Sequence, residues 1–315
     1  MKILVLVAQQ RMPNNDVMYR ALQKSVSIEL IKLSSAEQKR LKKFLKYVNL
    51  KKYDGIILDL HFKRIVNQAR FIRTLPNLTI YEEDACQNYI ENSKWYGKFL
   101  PFYKKLGDFR LICSSKQLSN KFKSAGVDAH FLAKAYDQCV LKNLYTERDI
   151  DLGFIGRTAS TTYSQRSDFL TNLEKDYGLK LMRTTPGAEY LNMLNRIKFF
   201  VSADIGLGEY MIKNFEAMAC GCLVFAFRQG EGEEEALGLE DMKNIVLYQD
   251  VNEFREKFHY MLSNPSQEKR IIKNSLQLVR QKFTYNALAE GLLNILKQEK
   301  IVSQQTLPWH KRIWN

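Results

Sequence analysis

Two short stretches carry the residues best suited to chemistry. The stretch GEYMIKNFEAMACGCLVFA, residues 208–226, sets Glu209, Lys213 and Glu216 around the opening turns of a helix that closes on Ala217, Ala219 and Gly221. A lysine beside the free amides of a helix start favours an anion, and small residues let a helix approach a sheet closely. The stretch GFIGRTASTTYSQR, residues 153–166, ends an apolar strand at Gly156 and continues with Arg157, a run of hydroxyl residues and Arg166. An arginine fork matches phosphate geometry, so this pattern fits a diphosphate cradle, or equally a strand-end turn with a surface arginine. Proton-accepting groups stand at the ends of other apolar runs: Asp59 and His61 in LDLHF, and Glu82, Glu83 and Asp84 in YEEDA. Those carboxylates fit general-base work or, more blandly, helix capping.

The elements that must hold these groups alternate. Apolar runs at KILVLVA, SIELIKL, YDGIILDL, NLTIYE, RLICSS and DAHFLA are separated by stretches with helical or basic amphipathic periodicity. A second series follows: DIDLGFIG, LKLMRT, KFFVSAD, CLVFAF and NIVLYQD. Two βα series in tandem predict an α/β protein of two Rossmann-like domains facing each other across a cleft. We expect a basic N-terminal domain over residues 1–140 and a C-terminal domain over 149–290. Residues 291–315, with Trp309 and Trp314 in LPWHKRIWN, are expected to pack back on the first domain, a membrane-interface anchor being the alternative. The loop after the first strand, AQQRMPNND, lacks glycine, which excludes a dinucleotide fingerprint there.

Charge divides the chain unequally. Residues 1–140 hold 25 Lys and Arg against 12 Asp and Glu, which is +13 of the total +14. The first half therefore suits an anionic partner, and the second does not depend on that field. The densest segment, KRLKKFLKYVNLKK, repeats Leu41, Phe44, Leu45 and Val48 at helical spacing, which predicts a helix with a lysine face, either solvated or docked on anionic lipid. No apolar run reaches the length of a membrane span, so a cytoplasmic chain is expected. The five cysteines, Cys86, Cys113, Cys139, Cys220 and Cys222, suit reduced, buried thiols, and the Cys220 and Cys222 pair offers too few ligands for zinc. The DID of Asp149–Asp151 precedes its strand, the wrong end for a ligand site. The acidic GEGEEEAL, with Glu231, Glu233, Glu234 and Glu235, reads as the first turn of a helix, contact with a sugar being the other option.

The order of strand KFFVSAD, glycine loop IGLGEY, helix ending FEAMACG and buried strand CLVFAF resembles the donor-binding half of GT-B glycosyltransferases, chiefly the CgeB-like and family-four groups. The resemblance covers residues 150–290. It implies a metal-independent hexosyltransferase with a nucleotide-sugar donor as substrate and no cofactor. By that likeness Glu216 accepts hydrogen bonds from the donor's ribose, and Lys213, three positions earlier, neutralises the leaving diphosphate together with Arg157 or Arg166. Family-four enzymes carry a sugar-binding glutamate eight positions before Glu216, where this chain has Gly208, with Glu209 one residue later. Gly156, Tyr210 and Asn214 join the donor set, with Thr184 and Thr185 on the base side by strand position. For an inverting reaction, Asp84 and Glu83 are the first choices of acceptor base, with His61 behind them.

The implied activity is sugar transfer to a glycan or lipid-linked acceptor in lipopolysaccharide or capsule synthesis, at an anionic inner-membrane face and without nucleic acid. A nucleotide-sugar epimerase and a basic nucleic-acid-binding α/β protein are the rival classes. No recognised nucleic-acid reading motif supports the latter.

Overall fold

The computed structural model describes residues 1–10, 15–158 and 164–299. The described residues divide into two compact units, one within Met1–Tyr89, Ser93–Ala133 and residues 288–299, the other within Ile90–Asn92 and Lys134–Ala287.

The first unit holds a six-stranded sheet of β1 (Lys2–Ala8), β2 (Ser27–Leu33), β3 (Gly55–Asp59), β4 (Leu78–Glu82), β5 (Arg110–Cys113) and β6 (Asp128–Phe131), in the order β2-β1-β3-β4-β5-β6. All its pairings are parallel. Strands of a parallel sheet are covered on both faces, which is why β1, β3 and β4 are buried along nearly their whole length and are rich in apolar residues. The edge strand β2 is only partly covered, and Glu29 and Lys32 interrupt its apolar residues.

The second unit repeats the arrangement with β7 (Ile150–Ile155), β8 (Lys180–Met182), β9 (Ile197–Ser202), β10 (Leu223–Phe227) and β11 (Val246–Tyr248), ordered β11-β10-β9-β7-β8 and parallel throughout. Its core joins Leu152, Phe154, Phe199, Val201, Phe225 and Tyr248 to Phe254 and Phe258 of the helix Val251–Ser263. Burial of each such side chain is worth roughly 1.5–3 kcal/mol. In both sheets the chain adds its second strand on one side of the first and its third on the other. Crossovers therefore diverge between β1 and β3, and between β7 and β9, and crevices at the carboxyl ends of such strands are where ligands of open α/β sheets bind.

Two expectations change in detail. The segment from Lys39 to Lys52 is not one helix but a short helix, Leu41–Leu45, followed by a 3-10 turn, Leu50–Lys52. The side chain of Asn49 accepts the amide of Lys51 at 3.2 Å and so starts a new turn where the periodicity predicts continuation. All five cysteines are free, but Cys139 is exposed, because it sits in a turn where its amide donates to the Asp137 carboxylate at 2.9 Å.

Candidate active site

The residues singled out in the second unit converge on the carboxyl ends of β7 and β9. Gly156 follows β7 directly, and its amide donates to Met182 O at 3.0 Å. The helix Ile212–Ala219 starts after the loop that leaves β9, and its Lys213 reaches back so that Nζ donates to Ile155 O, the last carbonyl of β7. A Cβ on residue 156 would stand 2.5 Å from Lys213 Nζ and 2.9 Å from the Phe154 ring. Glycine there makes the space the ammonium occupies, while Phe154 lies 5.7 Å beneath it as a cation–π partner.

One turn after Lys213 stands Glu216, almost wholly buried, whose Oε2 accepts the hydroxyl of Tyr190 at 2.6 Å. Burial pushes the Glu216 carboxyl above its ordinary value, opposed by the Tyr190 hydrogen bond and the Lys213 ammonium. Burial likewise lowers Lys213, against the pull of Glu216, and Arg166 lowers it further. The pair is a cation and a carboxylate held at a strand end where water is scarce. It suits a ligand that presents anionic oxygens to Lys213 and hydroxyl donors to Glu216.

Behind this pair, Asp204 shapes the loop. Its Oδ2 accepts from Ser202 Oγ at 3.0 Å, the Met211 amide at 2.9 Å and Asn214 Nδ2 at 2.8 Å. Arg166 approaches Asp204 Oδ1 at 3.5 Å and donates through Nε to Ala203 O at 3.0 Å. The carboxylate thus caps the helix Ile212–Ala219 from outside its sequence, since Met211 offers no capping side chain. Gly208 turns within the loop at φ 66°, a conformation that favours glycine. Glu209 is fully buried, and Lys134 Nζ donates to its Oε2 at 2.9 Å. Tyr210 donates to Glu234 Oε1 at 2.6 Å, and the same carboxylate accepts the amides of Gln229 and Gly230 at 2.7 and 3.1 Å.

The small-residue close of the helix has its own reason. Gly221 takes φ 81°, and a Cβ on it would lie 2.4 Å from Asn143 Nδ2 and 3.0 Å from an Arg148 guanidinium nitrogen. Arg148 ties together the carbonyls of Leu194, Ile197 and Cys220. The helix end is thereby fixed to β9, which sets where its other end points.

Several predicted residues take simpler positions. Asn214 bonds Asp204 and Met211 O from full burial. Thr185 donates through Oγ1 and its amide to Glu189 at the start of the helix Ala188–Arg196. Arg157 is exposed beside Gly156, and the hydroxyl run at residues 159–163 lies outside the described residues. Asp149 pairs with Arg196 on the surface, its Oδ1 accepting from Nε at 2.8 Å. In the first unit, Asp84 is exposed, and its amide donates to Glu82 at 2.9 Å, while Glu83 Oε1 accepts from Tyr81 at 3.4 Å. His61 begins the helix Phe62–Ile65, its amide donating to Gln38 Oε1 at 3.3 Å. Asp59, buried at the end of β3, accepts from Asn15 Nδ2 and Tyr19 at 3.1 and 3.0 Å.

Sequence reasoning missed Tyr190, Asp204 and Lys134. Asp204 was within reach, as a carboxylate just past an apolar strand. Tyr190 and Lys134 had no local signal, because their partners lie 26 and 75 residues away.

Residues 140–294 match the family model described as glycosyl transferase-like. No curated protein matches the chain by sequence. Among solved structures the chain is similar to HepE of Anabaena in complex with UDP-glucose, at 12% identity and TM-score 0.66 over 94% of this chain and 99% of that one. Sucrose-phosphate synthase from Thermosynechococcus elongatus gives 12% identity and TM-score 0.66 over 95% and 98%. A glycosyltransferase from Rickettsia africae gives 11% and 0.60 over 94% and 97%. At such identities the likeness is one of fold. Residues 140–294 are thus similar to glycosyl transferase-like proteins, and the chain as a whole has the two-domain α/β fold of the GT-B glycosyltransferases.

Proposed function

We propose that the chain transfers a hexose from a nucleotide-sugar donor to a glycan or lipid-linked acceptor in cell-envelope polysaccharide synthesis, of lipopolysaccharide or capsule, at the cytoplasmic face of the membrane. The finer likeness to the CgeB-like and family-four groups belongs to this reading. The observation that carries it is the juxtaposition of Gly156, Lys213 and Glu216 at the divergence of β7 and β9.

In this reading Glu216 accepts the ribose hydroxyls, with Tyr190 holding the carboxylate in place. As the bond to the anomeric carbon breaks, the diphosphate gains charge. Lys213, the amides that open the helix Ile212–Ala219, and Arg157 or Arg166 stabilise it by preorganised electrostatics rather than through a metal ion. Lys213 starts on the carbonyl of Ile155 and exchanges that partner for a phosphate oxygen. Glu209 and Tyr210 shape the wall beside the sugar, and Asn214 and Gly208 hold the loop. Asp84, Glu83 or His61 takes the acceptor's proton if the outcome is inversion. UDP is the first donor nucleotide to try, because HepE was solved with UDP-glucose.

A thermal-shift screen of UDP-, GDP-, ADP-, TDP- and CMP-sugars tests the reading. A ligand at about 100 times its dissociation constant stabilises the fold by roughly 2.7 kcal/mol. One nucleotide class should raise the melting temperature in the wild type and leave Glu216→Ala unmoved. A folded Glu216→Ala that responds as fully as the wild type removes the ribose contact from the reading. Release of free nucleotide diphosphate that depends on an added acceptor separates a transferase from a nucleotide-sugar epimerase, whose product keeps its nucleotide.

A further inference from the structure

The first unit carries a surface that sugar transfer itself does not use. Between Gln38 and Tyr53 the chain holds Lys39, Arg40, Lys42, Lys43, Lys46, Lys51 and Lys52, all exposed, and no acidic residue. The preceding turn is firmly made. Ser34 and Glu37 form a reciprocal capping box at the start of the helix Ser35–Gln38, and Glu37 spends its carboxylate on Ser34. Leu41 and Leu45 of the next turn are buried. With those two inside, Phe44, Tyr47 and Val48 are left along a groove of about 510 Å³, with Arg40 and Lys43 on its rim. A second groove of about 750 Å³ shares Arg40 and Lys43 and continues past Leu45, Leu50 and Phe71, with Lys39, Lys42 and Lys46 around it. Tyr47 is 83% exposed, and Lys46 Nζ stands 5.7 Å from its ring centre.

A merely solvated helix face mixes its charges, since like charges a turn apart repel. Here Lys39, Arg40, Lys42, Lys43 and Lys46 line the two grooves against one carboxylate, Glu37, already bonded to Ser34, an excess of cations that repels itself until something both anionic and apolar covers it. A bilayer with acidic headgroups meets both demands at once, whereas a nucleic acid meets only the first. We propose that this face docks on an anionic lipid bilayer, with Tyr47, Phe44 and Leu50 entering the interface and the lysine rim lying among the headgroups. Each lysine near such a surface contributes on the order of 1 kcal/mol, about fivefold in binding. The aromatic and aliphatic side chains add a part that salt does not screen. The inference deepens the proposed function by giving a membrane-borne acceptor's membrane a surface to meet, and it stands or falls without any sugar donor.

Flotation of the full chain with vesicles of equal parts phosphatidylglycerol and phosphatidylcholine tests it. At low salt the wild type should float with these vesicles and stay behind with pure phosphatidylcholine. Lys42→Ser/Lys43→Ser/Lys46→Ser should weaken binding about a hundredfold, from three charges at about fivefold each. Tyr47→Ser, an exposed change that leaves folding alone, should lower the fraction retained at raised salt. The proposal is overturned if the wild type fails to float or if the triple variant floats equally well. Both variants should keep the nucleotide-sugar thermal shift of the wild type. A chain that binds vesicles but no donor upholds this surface and sinks the transferase reading; the reverse result sinks the surface alone.

Discussion

Gly156 and Lys213 occupy one small volume at the end of β7. Replacing Gly156 with alanine puts a methyl group 2.5 Å from the ammonium and 2.9 Å from the Phe154 ring. The lysine can swing away, but the ring is packed in the core, so both must give. We expect Gly156→Ala to fold with a loss of about 1–3 kcal/mol, the usual cost of an overpacked site. On the proposed role of Lys213 toward the donor's phosphates, the affinity of Gly156→Ala for the donor should fall to the level of Lys213→Ala. Chemical denaturation and calorimetric titration with the nucleotide from the screen measure the two effects, and unchanged affinity would dissociate Gly156 from the lysine's task.

At the scale of elements, the join between β10 and the helix Glu233–Leu237 turns on one carboxylate. Glu234 resists burial, which alone would raise its pKa, through the Tyr210 hydroxyl and the amides of Gln229 and Gly230, and ends below its ordinary 4.5. A carboxyl lowered by folding adds stability that is complete above about 4.5 and fades as acid brings the pH down through its folded value. Glu234→Gln should therefore cost about 2 kcal/mol at neutral pH, and the gap to the wild type should narrow below pH 4.5. Urea melts at neutral and acid pH check this, and a gap that widens in acid refutes the assignment. This carboxylate also shows how far the sequence could be read. An acidic first turn was legible in GEGEEEAL from its spacing and sign, but that Glu234 reaches back to the loop before it was not. The inner strands among the described residues were legible because a doubly covered parallel strand must be largely apolar. The break after Leu45 was not, because the Asn49 cap competes with the helix by a single hydrogen bond. Glu216 and Lys213 could be picked out from the small-residue joint, whereas Arg148, which pins that joint, meets partners 46 to 74 residues away and no pattern near it says so.

At the scale of the whole molecule, the last helix, Tyr285–Lys297, begins in the second unit and from Leu288 onward belongs to the first. Leu288, Leu292 and Ile295 are buried, Gly291 leaves room for Leu132, and Arg110 donates to Gln298 O at 2.7 Å. Ending the chain at Ala287 removes those three apolar side chains, each worth roughly 1.5–3 kcal/mol. It also deprives the buried Arg110 of an acceptor. The expected result is amide exchange accelerated across β5 and β6, with β7 to β11 still protected. Equal loss of protection in both sheets would mean that the units do not hold their stability separately.

That return of the chain also orders its birth. The second unit has all its strands once residue 248 has left the ribosome and all its residues by 287, while the first, begun earlier, still lacks its closing helix. During synthesis the unit whose strands come first therefore gains the helix from Leu288 only after the other is complete, and its sheet, finished at Phe131, stays partly uncovered until then.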